Sequence, residues 1–207
     1  MNAHNETEIC LIQNDYDDPF NQARVDFYGI FAWPTVVGNG VSDAWPLSCL
    51  EDDYAAHDAI PSPLTIAIME NGMGDFTACI QAEETVTDAS FFMVATLDEE
   101  VRSSAGMSRL PHHVKVHMTP PQTGDPFTLL AGETIYINHT FTVQPDWDYE
   151  AMGVAAWVSR PGGTNPSPCP YGDIPIKNEV LQSRWVATAT HTAVEQSSWG
   201  QIKSMYR

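Results

Sequence analysis

The sequence predicts an all-β sandwich for the larger part of the chain, on three observations. Fifteen prolines and thirteen glycines interrupt the 207 residues every few positions. No long stretch sets apolar residues at i, i+3, i+4 and i+7, so turns and short strands, not amphipathic helices, organise the chain. Apolar residues make up 43% of it and aromatic residues 10%, enough to bury a core in one large domain or two small ones.

Taken in order, the first informative stretch is ARVDFYGIFAWPTVVGNG, residues 23 to 40. The Trp33-Pro34 junction holds the backbone extended, the β-branched run Thr35, Val36 and Val37 favours a strand, and Gly38-Asn39-Gly40 supplies positive φ for a tight reversal. A hairpin is the local expectation. Pro61-Ser62-Pro63 makes a stiff junction. Beyond it come SPLTIAI at 62 to 68, an acidic turn LDEEV at 97 to 101, HHVKVHM at 112 to 118, MGVAAWV at 152 to 158 and KNEVLQSRW at 177 to 185. These runs read as strands and turns of a sandwich. Residues 189 to 207 are polar, with Trp199, Ile202, Met205 and Tyr206 spaced for a short amphipathic helix or else a disordered tail, which a neighbouring subunit could order.

The order of these motifs resembles a known family. DYDDPFNQAR at 15 to 24, then Tyr28-Gly29, then Pro34-Thr35 with β-branched residues and a closing glycine, is similar to the cis-proline segment of a thioredoxin-like domain. A secreted bacterial family of thioredoxin-fold outer-membrane proteins carries those features and continues into an immunoglobulin-like sandwich, which the later strands resemble. The resemblance implies a mainly β fold: an immunoglobulin-like antiparallel β-sandwich at 61 to 188, preceded at 1 to 60 by a partial thioredoxin-like segment or N-terminal arm, and followed by the tail at 189 to 207. It also implies that Pro34 is a cis-proline; a trans proline entering an edge strand is the alternative. The chain departs from the family in one respect that bears on chemistry. Its cysteines lie tens of residues apart, so no Cys-x-x-Cys pair exists and thiol-disulfide catalysis is not expected.

Charge narrows the partners. Against 9 basic residues stand 27 acidic ones, a net charge of −18. Nucleic acid is excluded as a natural partner, because binding a polyanion requires a basic footprint. A solvated acidic surface accounts for most of this charge. Calcium is the cofactor to consider, with Asp15, Asp17 and Asp18 in one loop and Glu51, Asp52 and Asp53 in another, although neither loop follows the alternating ligand spacing of the twelve-residue calcium loop. His113 and His117, with Met107 and Met118 nearby in sequence, form a second constellation. On a strand those histidines lie about 13 Å apart, too far to share one metal.

No nucleophile elbow, phosphate-binding glycine loop or His-Glu-x-x-His occurs, and the carboxylate run Asp98, Glu99 and Glu100 falls in an expected turn. Catalysis is therefore not expected. Cys10, Cys49, Cys79 and Cys169 are consistent with two disulfides formed outside the cytosol, the most local pairing being Cys10 with Cys49 and Cys79 with Cys169; four buried free thiols are the alternative. Asn5 and Asn138 sit in N-glycosylation-type sequons. MNAHNETEICLIQND lacks a basic n-region and an apolar run, so an exported chain is expected to have sequence upstream of Met1. No apolar stretch approaches the length of a membrane-spanning helix.

Three functions fit these features. The first is a non-enzymatic extracytoplasmic protein, secreted or on the cell surface, making protein contacts or self-association through its sandwich. The second is a subunit of an extracellular filament or homo-oligomer, with Trp185 and Trp199 as sticky aromatic residues near the C-terminus. The third is a truncated redox protein whose Cys-x-x-Cys lies upstream.

Overall fold

The computed structural model describes residues 26–27, 37–38, 40–43, 52, 55–57, 59–97, 113–166, 168 and 176–188. Among these, the strands are β1 (Val37–Gly38), β2 (Ser42–Asp43), β3 (Leu64–Gly72), β4 (Asp75–Ala82), β5 (Val86–Leu97), β6 (His113–His117), β7 (Asp125–Leu129), β8 (Thr134–Thr140), β9 (Met152–Pro161) and β10 (Asn178–Ala187). Two antiparallel sheets face one another. One has the order β3-β4-β8, the other β10-β9-β5-β6, with β7 also pairing β5. Neighbours in space are not all neighbours in sequence: β4 pairs β8 and β5 pairs β9, the crossed connections of an immunoglobulin-like Greek key. The mainly β sandwich expected from the sequence is what the chain forms.

Alternation explains which face of each strand turns inward. On β4, Phe76, Ala78, Ile80 and Ala82 are buried; on β8, Ile135 and Ile137 pack inward between the exposed Thr134, Tyr136 and Asn138. These side chains meet Phe91, Met93, Val154, Ala156 and Val158 from the opposite sheet in one core. Phe76 stacks on Phe141 at 6.0 Å, and Phe91 on His139 at 6.2 Å. Burying side chains of this size contributes about 1.5–3 kcal/mol each.

β5 breaks the alternation. From Phe91 to Thr96 every residue is buried, because this central strand is covered on both faces. One edge of β5 pairs β9. The other is shared end to end by β6 and β7, which are separated by a turn at Pro120 and Pro121. The carbonyl of Pro120 accepts from Gly124 N at 2.7 Å, and Gly124 takes a φ of 62° with its α-carbon close against the sheet. A Cβ there would lie 2.6 Å from the Phe91 carbonyl oxygen, so the turn requires glycine.

The two sheets are joined at both edges. Between β7 and β8 the chain crosses over at Leu130–Glu133, and His139 Nε2 meets Asp125 Oδ2 at 2.6 Å across the gap. At the other edge, Gln182 Nε2 on β10 donates to the Leu64 carbonyl on β3 at 3.5 Å. A 3-10 turn at Tyr149–Ala151 leads into β9, capped by the Asp148 carboxylate accepting from Glu150 N.

Ahead of the sandwich, β1 and β2 form the expected hairpin, Val37 opposite Asp43 and Gly38 opposite Ser42, with Gly40 at φ 76° in the turn. Part of this region rests on the sandwich. Phe27 packs edge-on against Phe92 at 5.4 Å, Asn178 Nδ2 donates to the Phe27 carbonyl at 2.8 Å, and Asn178 N donates to the Gly40 carbonyl at 3.1 Å. Pro34, the expected cis-proline, lies outside the described residues, as does the tail at 189 to 207.

Candidate functional site

The outer face of the β3-β4-β8 sheet is built by the same alternation that fills the core. Residues pointing away from the core line up across the strands in three rows. Thr65, Gln81 and Thr134 form the first, Ala67, Cys79 and Tyr136 the second, and Met69, Thr77 and Asn138 the third. None of them is charged, on a chain of net charge −18. Acidic residues appear only past the ends of these rows: Asp75 beyond the third, and Glu83 and Glu133 beyond the first.

Side-chain hydrogen bonds fix this face. Asn71 Nδ2 donates to Thr77 Oγ1 at 2.8 Å, and Thr77 Oγ1 donates to Asn138 Oδ1 at 2.6 Å, so one hydroxyl links three strands. Tyr136, 65% exposed, stands opposite Cys79. The neighbouring Cys79 side chain holds the Tyr136 phenol above its ordinary range, and desolvation adds a smaller push. An exposed aromatic ring beside hydroxyl and amide groups can stack with one surface of a ligand and hydrogen-bond its rim.

Beneath one end of this sheet lies a strut. Tyr149 Oη donates to Glu70 Oε1 at 2.6 Å and accepts from Gly74 N at 3.0 Å, which ties the β3-β4 turn to the start of β9. Burial, and then the Glu70 hydrogen bond, push the Tyr149 phenol well above its usual value, with the Gly74 amide working in the other direction. Thr188 Oγ1 donates to the Met152 carbonyl at 3.1 Å and anchors the end of β10 to the same corner.

A shallow depression of about 450 Å³ lies between β5 and β7, lined by Asp88, Ala89, Ser90, Pro126, Phe127 and Thr128. Asp88 sits at φ 54° where the β5-β7 register shifts. It is the one titratable residue in that lining, so the depression holds no acid–base pair.

The residues singled out from sequence fall as follows. Cys79 is a free thiol, half-buried on β4. Cys10, Cys49 and Cys169 lie outside the described residues, as do Asp15, Asp17, Asp18, Glu51, Asp53, Met107 and the run Asp98 to Glu100. Asp52 is exposed. His113 and His117 stand at opposite ends of β6, and Met118 packs against the main core. Among the described residues, no group of three or more His, Cys, Asp or Glu side chains is placed to hold a metal. Asn138 is on the exposed face of β8.

Trp185 is a correction. Its ring lies over Gly153, where an added Cβ would meet the indole at 2.5 Å, and its Nε1 donates to Thr96 Oγ1 at 3.3 Å. It therefore serves the fold of its own chain and is not a free sticky surface. The uncharged face itself was not singled out in the sequence. Its signal was the alternation in Thr134-Ile135-Tyr136-Ile137-Asn138, which marks the outward residues but not the strands beside them.

Comparison with protein-family models and with curated proteins gives no match. Among solved structures, the chain is similar to a domain of the outer membrane lipoprotein Omp28 from Porphyromonas gingivalis, at 8% identity and a TM-score of 0.36, over 60% of this chain and 87% of that one. It is also similar to the GH3 beta-glucosidase of Bifidobacterium adolescentis, at 15% identity and a TM-score of 0.24, over 74% of this chain and 23% of that enzyme. At these scores neither likeness bears on what this chain does. Among the described residues, no helix is long and apolar enough to cross a membrane.

Proposed function

We propose that this chain is a non-enzymatic extracytoplasmic module, secreted or on the cell surface, that makes its contacts through the outer face of β3-β4-β8. The observation behind this proposal is the absence of charge from the three rows of that exposed face, on a chain of net charge −18. Elsewhere a docking partner meets a field that repels anions and must strip hydrated carboxylates of their water; here it meets hydroxyls, amides and one aromatic ring. The lone carboxylate of the β5-β7 depression supports a non-catalytic role.

The test has two parts. Intact source cells are treated with a membrane-impermeant amine reagent, and the purified chain is measured for adsorption to the isolated cell envelope. Labelling of the chain in intact cells, together with adsorption that Tyr136→Arg abolishes, is the expected result. A chain protected from the reagent, or one that adsorbs equally well as Tyr136→Arg, would end the proposal.

A further inference from the structure

The geometry points to the outer face of β3-β4-β8 as a binding site for a neutral polysaccharide, with the ring of Tyr136 as its stacking platform. This rests on the contact-face proposal above and names the partner class.

The exposure of Tyr136 is the first argument. Tyr136 and Cys79 are directly opposite one another on neighbouring strands, where Cβ atoms are about 5 Å apart. Tyr136 is 65% exposed in the middle row of the face, so its ring offers aromatic surface to solvent. That surface complements the apolar C–H surface of a sugar ring, and the exposed amide groups of Gln81 and Asn138 offer donors and acceptors to sugar hydroxyls beside it.

Charge is the second. The rows contain neither a carboxylate to repel nor a lysine or arginine to pair with an anion, so a ligand gains nothing from carrying charge of either sign there. An anionic polymer would in addition face the net charge of −18.

Size is the third. Three strands about 4.8 Å apart, seven residues long at about 3.4 Å each, cover roughly 350 Å². A stable protein interface needs about 800 Å² per partner, so a second copy is under-supplied, whereas a few sugar units of an extended chain match the area.

The experiment is native affinity electrophoresis in gels containing a mixed-linkage glucan, a xylan, a galactomannan or a dextran, with alginate as the anionic control and light scattering on the same samples. At least one neutral polymer is expected to retard the chain and alginate is not. Tyr136→Ala should weaken retardation about tenfold or more, and Asn138→Ala by a smaller factor, while Leu130→Ala, exposed on the β7-β8 turn, leaves it unchanged. If Tyr136→Ala does not melt with the parent chain, Gln81→Ala, also exposed on the face, replaces it. Retardation in no neutral gel, retardation insensitive to these variants, or a dimer that Tyr136→Ala dissolves would each overturn the inference. Envelope adsorption that depends on Tyr136 without retardation by any neutral polymer would sink the polysaccharide and leave the contact face standing.

Discussion

On the outer face of the β5-β9-β10 sheet, Phe92, Val94 and Trp157 are at most 9% exposed, Phe92 stacks on Trp157 at 5.2 Å, and Phe27 from far upstream lies against them. On the outer face of β3-β4-β8, Tyr136 is 65% exposed among threonines and amides with nothing over it in the described residues. Both are outward faces of the same sandwich. One is apolar because the chain covers it and the other polar because water does, so the first contributes to stability and the second is available for contact. The difference is written residue by residue: β5 and β9 run apolar at successive positions, whereas β3, β4 and β8 alternate.

If this contrast holds, substitutions on the covered face must unfold the chain and those on the bare face must not. Trp157→Ala empties a stacked, buried site and is expected to cost about 3–5 kcal/mol, read from the urea midpoint. A cost below about 1 kcal/mol would mean that the covered face contributes little.

Tyr149→Phe tests what holds the bare sheet from beneath. It leaves Gly74 N and the Glu70 carboxylate without their phenol partner, with an expected loss of about 1–3 kcal/mol. The pH dependence follows from the raised phenol. Because the folded value lies above the unfolded one, the neutral phenol's contribution is complete below about pH 10 and is lost as pH climbs from there towards the folded value. Alkaline melts of the parent should therefore fall more steeply than those of Tyr149→Phe.

Phe27→Ala sharpens the comparison by thinning the cover alone. It removes the edge-on contact with Phe92 and is expected to cost about 1–2 kcal/mol by thermal denaturation, with the β-sheet circular dichroism of the folded state retained. Smallest of all, Tyr136→Ala should change stability by no more than about 0.5 kcal/mol, since its ring is largely in water already. A larger loss would show that the bare face belongs to the core's energetics after all.

Much of the fold was legible. The runs beginning at Leu64, His113, Met152 and Asn178 announced β3, β6, β9 and β10 through β-branched and apolar residues between proline and glycine breaks, and Gly38-Asn39-Gly40 announced the first hairpin. β4, β5, β7 and β8 were not read as strands; β7 carries Pro126 inside it and tolerates that proline through its position at the edge of β5. Trp185 misled for a different reason: an aromatic residue near a terminus looks exposed until Gly153 is known to lie beneath it. Of the candidate site, only Cys79 and Asn138 were named from sequence, the one as a disulfide candidate and the other as part of a glycosylation-type sequon; the alternation around Tyr136 went unread. That Cys79 and Thr77 lie opposite Tyr136 and Asn138, about sixty residues later in the chain, was not legible.

By itself, then, the sequence determined the positions of β3, β6, β9 and β10, the first hairpin with its glycine turn, and the acidic character of the whole. Those properties follow from dihedral preference and summed charge, the one local and the other additive. Only the tertiary structure decided that β4 lies between β3 and β8, that Phe27 and Asn178 meet across 151 positions, and that three unremarkable polar rows join into one uncharged face. A strand's alternation says which side faces the core but not which strand lies beside it, and that choice is made by the packing of the whole core at once.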